Sequence, residues 1–375
     1  MEEYLKNIYK EFVKFDESIF ILDAQNYSSS LEKIKPPKKI IRKFYQNYSR
    51  PTFFGFLGEI KPLLFGKSIS EFVLENFSED WNLWTFLEFL KRKKIIKVER
   101  SGKISLLKKE ISRFIPPPKK EKEIKKIVEK KLGVKIKKKK SVVELFKKFY
   151  DFKTKAQWDQ MPISQESAIF LVRKILEKIP FYKKFLFVGD DDLISLVLTL
   201  TEPNIECLVI DVDEHLLEGI NFLAQKFNLK IEVKKIDIRK KKKLKGDFVG
   251  FLTNPIYTEE GVKEFVGFGA NQLGKKGGVG FLVVGDESIG KRFLFLQEFF
   301  SKKRLIIEEI IARKIYYPWI SLYKEDKEIK KRLCQIIDEK VIEKSPKLGA
   351  LLYIFDYLPK RPKRVKFKKP IYAYL

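Results

Sequence analysis

Apolar positions recur along this chain with two periods, helical in the first third and strand-like from about residue 141 onward. The opening stretch MEEYLKNIYKEFVKF reads as a charged amphipathic helix, and SISEFVLENFS at 68–78 also has helical spacing. SEDWNLWTFLEFLKRKK follows, with Ser78 as its N-cap and Leu83, Phe86, Leu87 and Leu90 along one apolar face. IIKVERSGKISLL then predicts two short strands around the turn dipeptide Ser101-Gly102. Helix, helix, hairpin is the order of a winged helix, so residues 1–114 are expected to form a small winged-helix-like domain. Its second helix carries aromatic residues and carboxylates instead of a basic reading face, which favours packing or dimerisation over DNA binding.

Ile115-Pro116-Pro117-Pro118 interrupts the pattern, and a lysine-rich segment runs on to Lys140. The expectation for 115–140 is a linker carrying an exposed helix. From 141 to 375, short apolar runs alternate with helical stretches: FLFV (185–188), CLVI (207–210), IEVKKI (231–236), FVGFL (248–252), VGFLVV (279–284) and RLIIEEII (304–311). ESAIFLVRKILEKI precedes the first run, and LLYIFDYL lies near the end. This alternation predicts an α/β fold with a mainly parallel sheet, Rossmann-like and of the class I methyltransferase-like type.

Composition narrows the chemistry. The 375 residues include one histidine and two cysteines, Cys207 and Cys334, so histidine-centred triads, zinc sites built on cysteine pairs and a disulfide framework are not expected. His215 sits on a predicted helix as a partly exposed side chain. No run approaches the ~18 apolar residues of a membrane span, and the N-terminus lacks a signal-peptide pattern. A cytoplasmic protein with no metal and no membrane partner is the expectation. The net charge of +28 comes mostly from dispersed lysine, which compositional drift or a thermophilic taste for lysine and glutamate explains as well as nucleic-acid binding does.

One window departs from that background. Between Phe185 and Gln225 there is no lysine or arginine and there are nine acidic residues, where blind placement would put about eight basic ones. FLFV leads into Gly189-Asp190-Asp191-Asp192, at the first strand-to-helix loop, where a nucleotide site would carry several glycines. Three carboxylates repel a phosphate or an amino-acid carboxylate and attract amines. One of them can cap the next helix, which leaves two unexplained. Asp211-Val212-Asp213-Glu214 ends the second strand, where an acid accepts from ribose hydroxyls. Asp237 ends the third, and Asn254-Pro255-Ile256-Tyr257-Thr258 ends the fourth. Four strand ends thus aim polar groups at one crevice suited to a cationic ligand.

Asp159-Gln160-Met161-Pro162-Ile163-Ser164-Gln165-Glu166 resembles the DQ-x-x-x-T-x-E stretch of the N4-bis(aminopropyl)spermidine synthases, the branched-chain polyamine synthases of thermophiles. Its spacing to the GDDD loop, Asp211-Val212-Asp213-Glu214 and Phe265-Val266-Gly267-Phe268-Gly269 are similar to theirs as well, over about residues 150–320. The resemblance implies transfer of an aminopropyl group from decarboxylated S-adenosylmethionine, a co-substrate and not a permanently bound cofactor, to spermidine. It assigns Asp190 and Asp191 as catalytic candidates. Asp159, Gln160, Asp192, Asn254 and Tyr257 would contact the amine, and Gly189, Asp211, Asp213 and Asp237 the adenosine end. Where the family carries D-P-P-E-T, this chain has Asn254-Pro255-Ile256-Tyr257-Thr258, so two carboxylates have become an amide and a phenol.

That change brings in a second reading. Asn-Pro-Ile-Tyr is one residue from the N-P-P-Y loop of amino-group methyltransferases, in which the Asn holds the target amine and the aromatic ring stacks on the base. The triple aspartate is poorly suited to the carboxylate of S-adenosylmethionine, so a nucleic-acid partner is not favoured. A non-catalytic polyamine- or nucleotide-binding regulator is a third reading. A homodimer is compatible with the N-terminal domain.

Overall fold

A computed structural model describes residues 1–31, 37–46, 52–64, 80–99, 104–137, 140–155, 158, 160–240, 243–275, 277–318, 324–344 and 348–363. The chain divides into two compact units, one of residues 1–117 with 360–375 and one of residues 118–359.

In the first unit, helices Glu2–Leu31, Phe53–Leu64 and Asp80–Arg92 bury a largely aromatic core. Phe12 stacks on Phe56 with ring centroids 5.1 Å apart and meets Phe86 edge-on at 5.7 Å. Phe86 and Leu90 are buried as the helical spacing predicts, joined by Phe89, while Leu87 is half-buried. The hairpin is present: β1 (Ile96–Val98) pairs antiparallel with β2 (Ile104–Leu106). The expected helix at 68–78, the Ser78 cap of the helix that follows it, and the Ser101-Gly102 turn lie outside the described residues.

Segment 115–140 differs from its expectation. Helix Glu121–Leu132 buries Ile124, Val128 and Leu132 and packs on helices Gln165–Lys178 and Ile194–Thr201 of the second unit. Its three buried residues are four apart, a single stripe that the surrounding lysines and glutamates hide in a composition count. From Pro118 onward the chain is therefore part of the α/β unit and not a free linker.

That unit holds a seven-stranded sheet. Its strands are β3 (Lys184–Val188), β4 (Cys207–Asp211), β5 (Ile231–Lys235), β6 (Phe248–Thr253), β7 (Gly278–Val284), β8 (Leu305–Tyr317) and β9 (Leu348–Tyr357). Their order is β5-β4-β3-β6-β7-β9-β8, with β9 antiparallel to both neighbours and the other pairings parallel. This is the Rossmann-like, methyltransferase-like sheet the sequence predicts, and LLYIFDYL supplies its reversed strand. β6 and β7 are buried at every residue, as parallel strands covered on both faces must be. β5, at one edge, exposes Lys234 and Lys235, which discourages pairing with another chain. Strand order reverses between β3 and β6, and a crevice at the carboxyl ends of those strands is where such sheets bind ligands.

Gly269, in helix Glu259–Gln272, lies against the ring of Phe251 on β6, so a Cβ there would stand 2.5 Å from the ring. Close helix-to-sheet packing, not backbone freedom, requires this glycine. We expect Gly269→Ala to destabilise the protein by about 1–3 kcal/mol through overpacking, measured by urea unfolding.

Candidate active site

The geometry starts from the pairing of β3 with β6, which sets Val188 beside Thr253. Thr253 Oγ1 donates to the Val188 carbonyl at 2.9 Å, so the chain leaves the sheet at two adjacent points, Gly189 and Asn254. Gly189 has φ +76°, a conformation glycine adopts without a Cβ clash, and it turns the three aspartates over the sheet edge.

The three carboxylates are not equivalent. Asp190 is buried, and its oxygens accept the amides of Ile194 at 2.8 Å and Ser195 at 3.1 Å. It caps helix Ile194–Thr201, whose preceding residue Leu193 has φ +52° and supplies no side-chain cap. This helix reads ISLVLTLT, a poor helical sequence, and is entirely buried. Thr199 and Thr201 donate back to the carbonyls of Ser195 and Val197 at 2.8 and 2.7 Å. Asp190 thus holds a helix in place, a structural role beside the catalytic one expected of it.

Asp192 is also buried and joins separate segments. Its Oδ1 accepts the Ile163 amide at 2.8 Å, and its Oδ2 accepts Asn254 Nδ2 at 2.8 Å. Burial pushes its pKa up to about 6 against the pull of these two donors. Asn254 Nδ2 donates as well to Tyr317 Oη at 2.9 Å, and Asn254 Oδ1 lies 3.2 Å from both Tyr257 Oη and Tyr317 Oη. The two phenols are 2.5 Å apart. Both N–H groups of the amide and its carbonyl are taken up within the protein. Burial, with Tyr257 and Asp192 beside it, raises the Tyr317 phenol well above the usual tyrosine range, so it stays protonated as a donor.

Asp191 is the exception. It is half-buried, and among the described residues no side chain hydrogen-bonds its carboxylate. Burial and then the neighbouring Asp192, Asp211 and Asp190 raise its pKa well above the ordinary aspartate range. Asp211, at the end of β4, accepts the amides of Val212 and Asp213 at 2.7 and 2.9 Å through one oxygen, and burial raises its pKa too.

Other expected contacts serve different ends. Asp213 is fully buried and caps helix Glu214–Lys226, accepting from His215 N at 3.0 Å. Its carboxylate also takes Lys155 Nζ at 2.7 Å and Gln160 Nε2 at 3.0 Å. Burial alone would raise its pKa, but these donors outweigh burial and hold it below the usual range. Gln160 closes the arrangement by accepting the Lys155 amide at 2.9 Å. Asp213 therefore latches Lys155 and Gln160 to a helix N-terminus, and these bonds engage the groups expected to meet the ribose and the amine. Asp237 is held down to about 2 by the fork of Arg239, with bonds of 2.8 and 2.7 Å. That fork takes up the carboxylate expected to face adenine. Asp159 lies outside the described residues.

Sequence reasoning missed Tyr317 and Lys155. Tyr317 is one of 15 tyrosines, and Lys155 one of 78 basic residues, with nothing in the local pattern to mark either. The acid-rich window is also less acidic than it reads: Lys119 pairs with Glu202, Lys155 with Asp213 and Lys235 with Glu214. Among the described residues, no group of three or more His, Cys, Asp or Glu side chains is arranged to hold a metal ion, and no helix is long and apolar enough to cross a membrane.

Residues 141–355, more than half of the chain, match the model of the branched-chain polyamine synthase A C-terminal domain. The chain belongs to that family. An uncharacterized protein of Methanocaldococcus jannaschii is 37% identical over 137 residues, 36% of this chain and 34% of that protein. The N(4)-bis(aminopropyl)spermidine synthase of the same organism is 32% identical over 147 residues, 38% of this chain and 42% of the synthase. The matches thus span well under half the length of these relatives. Among solved structures, the Thermus thermophilus branched-chain polyamine synthase C9 mutein, in complex with N4-aminopropylspermidine and 5'-methylthioadenosine, superposes with a TM-score of 0.49 at 19% identity. That superposition covers 85% of this chain and 91% of the mutein.

Two outcomes separate the roles within the GDDD loop. Asp190→Ala should cost about 1 kcal/mol or more through loss of the cap, read by denaturant unfolding. Asp191→Asn should do the opposite. The native state raises the Asp191 pKa, so its ionised form lowers stability at neutral pH, and that cost vanishes as pH falls through the unfolded-state value. The substitution should raise Tm at neutral pH by about 2–4 °C per kcal/mol relieved, and leave it unchanged near about pH 3.5.

Proposed function

We propose that this branched-chain polyamine synthase family member transfers the aminopropyl group of decarboxylated S-adenosylmethionine to a polyamine, as the name of its M. jannaschii relative describes for spermidine. The observation that carries this reading is Asp191. It is the aspartate of the loop whose carboxylate no described side chain takes up, it stands at the strand-order reversal, and its surroundings raise its proton affinity. A cationic amine relieves the repulsion among Asp190, Asp191, Asp192 and Asp211, so the site selects for the charge it lacks.

The amine nitrogen attacks the methylene carbon next to the sulfonium. The N–C bond forms as the C–S bond breaks, and the bonding pair goes to sulfur, which leaves as the neutral thioether 5'-methylthioadenosine. The amine proton passes to the Asp191 carboxylate, whose raised pKa suits it to accept. Asp192, fixed by Ile163 and Asn254, holds Asp191 in register with the strand ends, and alignment of the two substrates supplies much of the rate. Asp211, which takes the amides of Val212 and Asp213 through one oxygen and also accepts from the Asp190 backbone, stands at the strand end where ribose hydroxyls would meet it.

The methyltransferase reading needs Asn254 to present its amide to a target amine, and both ends of that amide are engaged with Asp192, Tyr257 and Tyr317. This supports aminopropyl transfer over it. Purified protein with decarboxylated S-adenosylmethionine and spermidine should yield methylthioadenosine and a heavier polyamine by mass spectrometry. Asp191→Asn should lower kcat by about 100-fold or more without loss of fold. S-adenosylhomocysteine from S-adenosylmethionine and nucleic acid, with no product from spermidine, would overturn the proposal.

A further inference from the structure

The far end of the same sheet edge carries a cation of the protein's own. β8 pairs Ala312 with Leu351 and Ile315 with Ala350, so Arg313 and Lys314 bulge out of the ladder. Arg313 sits in that bulge with φ +59°, a conformation uncommon for a non-glycine residue. Its side chain runs across β9 at Gly349, where a Cβ would stand 3.3 Å from Arg313 Cδ. The guanidinium ends on the short helix Asp286–Ile289 that follows β7, with Nη2 3.0 Å from Asp286 Oδ2 and 3.9 Å from Glu287 Oε1.

An ion pair this exposed, with 55% of the arginine side chain open to solvent, returns little stability. A strained backbone and a tight crossing therefore serve something other than the fold. Their position says what. Gly285, immediately before Asp286, faces the Tyr257 ring, which a Cβ would meet at 2.8 Å. Tyr257 in turn reaches Asn254, and Asn254 reaches Asp192. Asp286 and Glu287 thus stand next in line after the Asn254–Tyr257 loop along the carboxyl edge. Asn254 and Tyr257 bring no charge to that loop, so this carboxylate pair is the anionic group at its far end, and Arg313 already neutralises it.

We propose that Arg313 sets the charge of the amine this protein accepts, by acting as an internal counter-ion that competes with the distal ammonium of a polyamine for Asp286 and Glu287. The inference rests on the amine-binding reading above. A short diamine, bound at the Asp191 end, does not meet the competitor. A longer polyamine must displace the guanidinium to place its last ammonium.

Equilibrium binding by calorimetry at low salt, with propane-1,3-diamine, spermidine and spermine, tests this on the full chain. Arg313→Asn keeps a residue type that tolerates positive φ, and Arg313→Gly is the companion variant should the asparagine lower stability. The expected gain rises with ligand charge, from under about twofold for the diamine to about tenfold for spermine, the size of one partly screened charge contact. Arg313→Lys should show no such gain, and Arg313→Asn combined with Asp286→Asn should lose it. An equal change for all three amines, no change, or a gain that survives Asp286→Asn would overturn the proposal, as would failure of every amine to bind. Turnover is read separately. A wild type that binds amines yet releases no methylthioadenosine contradicts aminopropyl transfer but leaves the affinity series valid, whereas a flat series in an active enzyme overturns the role of Arg313 alone.

Discussion

Three consecutive carboxylates at the end of a buried strand are the constraint around which the α/β unit is organised. Two unit charges about 4 Å apart repel by roughly 4 kcal/mol at an effective dielectric near 20, so a folded chain cannot hold Asp190, Asp191 and Asp192 there without compensation. Compensation arrives unevenly. Asp190 takes the free amides at the start of a buried helix, and Asp192 takes a backbone amide and the Asn254 side chain. Asp191 receives no such donor from the described side chains and keeps a raised pKa. The local destabilisation concentrates on one residue, and the two neighbours that hold it in place are the ones relieved.

The same economy of charge shapes the rest of the sheet edge. Asp213 is neutralised by Lys155 and Gln160, which ties the segment after Tyr150 to the helix behind β4. Asp237 is closed by Arg239, and Asp286 by Arg313. At the end of β6 an amide and two phenols form a hydrogen-bonded cluster in which every amide group has a partner. Among the described strand-end acids, Asp213, Asp237 and Asp286 are thus paired with cations, while Asp191 and Asp211 are not.

Much of the fold was legible in the sequence. The six apolar runs all became strands: β3, β4, β6 and β7 lie inside the sheet and carry unbroken hydrophobic stretches, while the edge strands β5 and β8 are interrupted by charged residues. The antiparallel pairing of β1 with β2 was legible from the alternation in its two short runs. The burial of helix Glu121–Leu132 was not, since four apolar residues among lysines and glutamates look like a solvated face until helices Gln165–Lys178 and Ile194–Thr201 cover them. Helix Ile194–Thr201, rich in β-branched residues, owes its form to complete burial and to the Asp190 cap.

For the site, the sequence alone determined where polar groups leave the sheet and that acids dominate there, because strand ends and residue types are local properties. It also carried the family resemblance in Asp159-Gln160, the GDDD loop and the spacing between them. What each acid does was decided only by tertiary structure. A carboxylate's role depends on which donors reach it, and the donors come from distant segments: Ile163 and Asn254 to Asp192, Lys155 to Asp213, Arg313 to Asp286. Three adjacent aspartates, identical in sequence, thus became a cap, a carboxylate that no described side chain takes up, and a junction through contacts that no local pattern encodes.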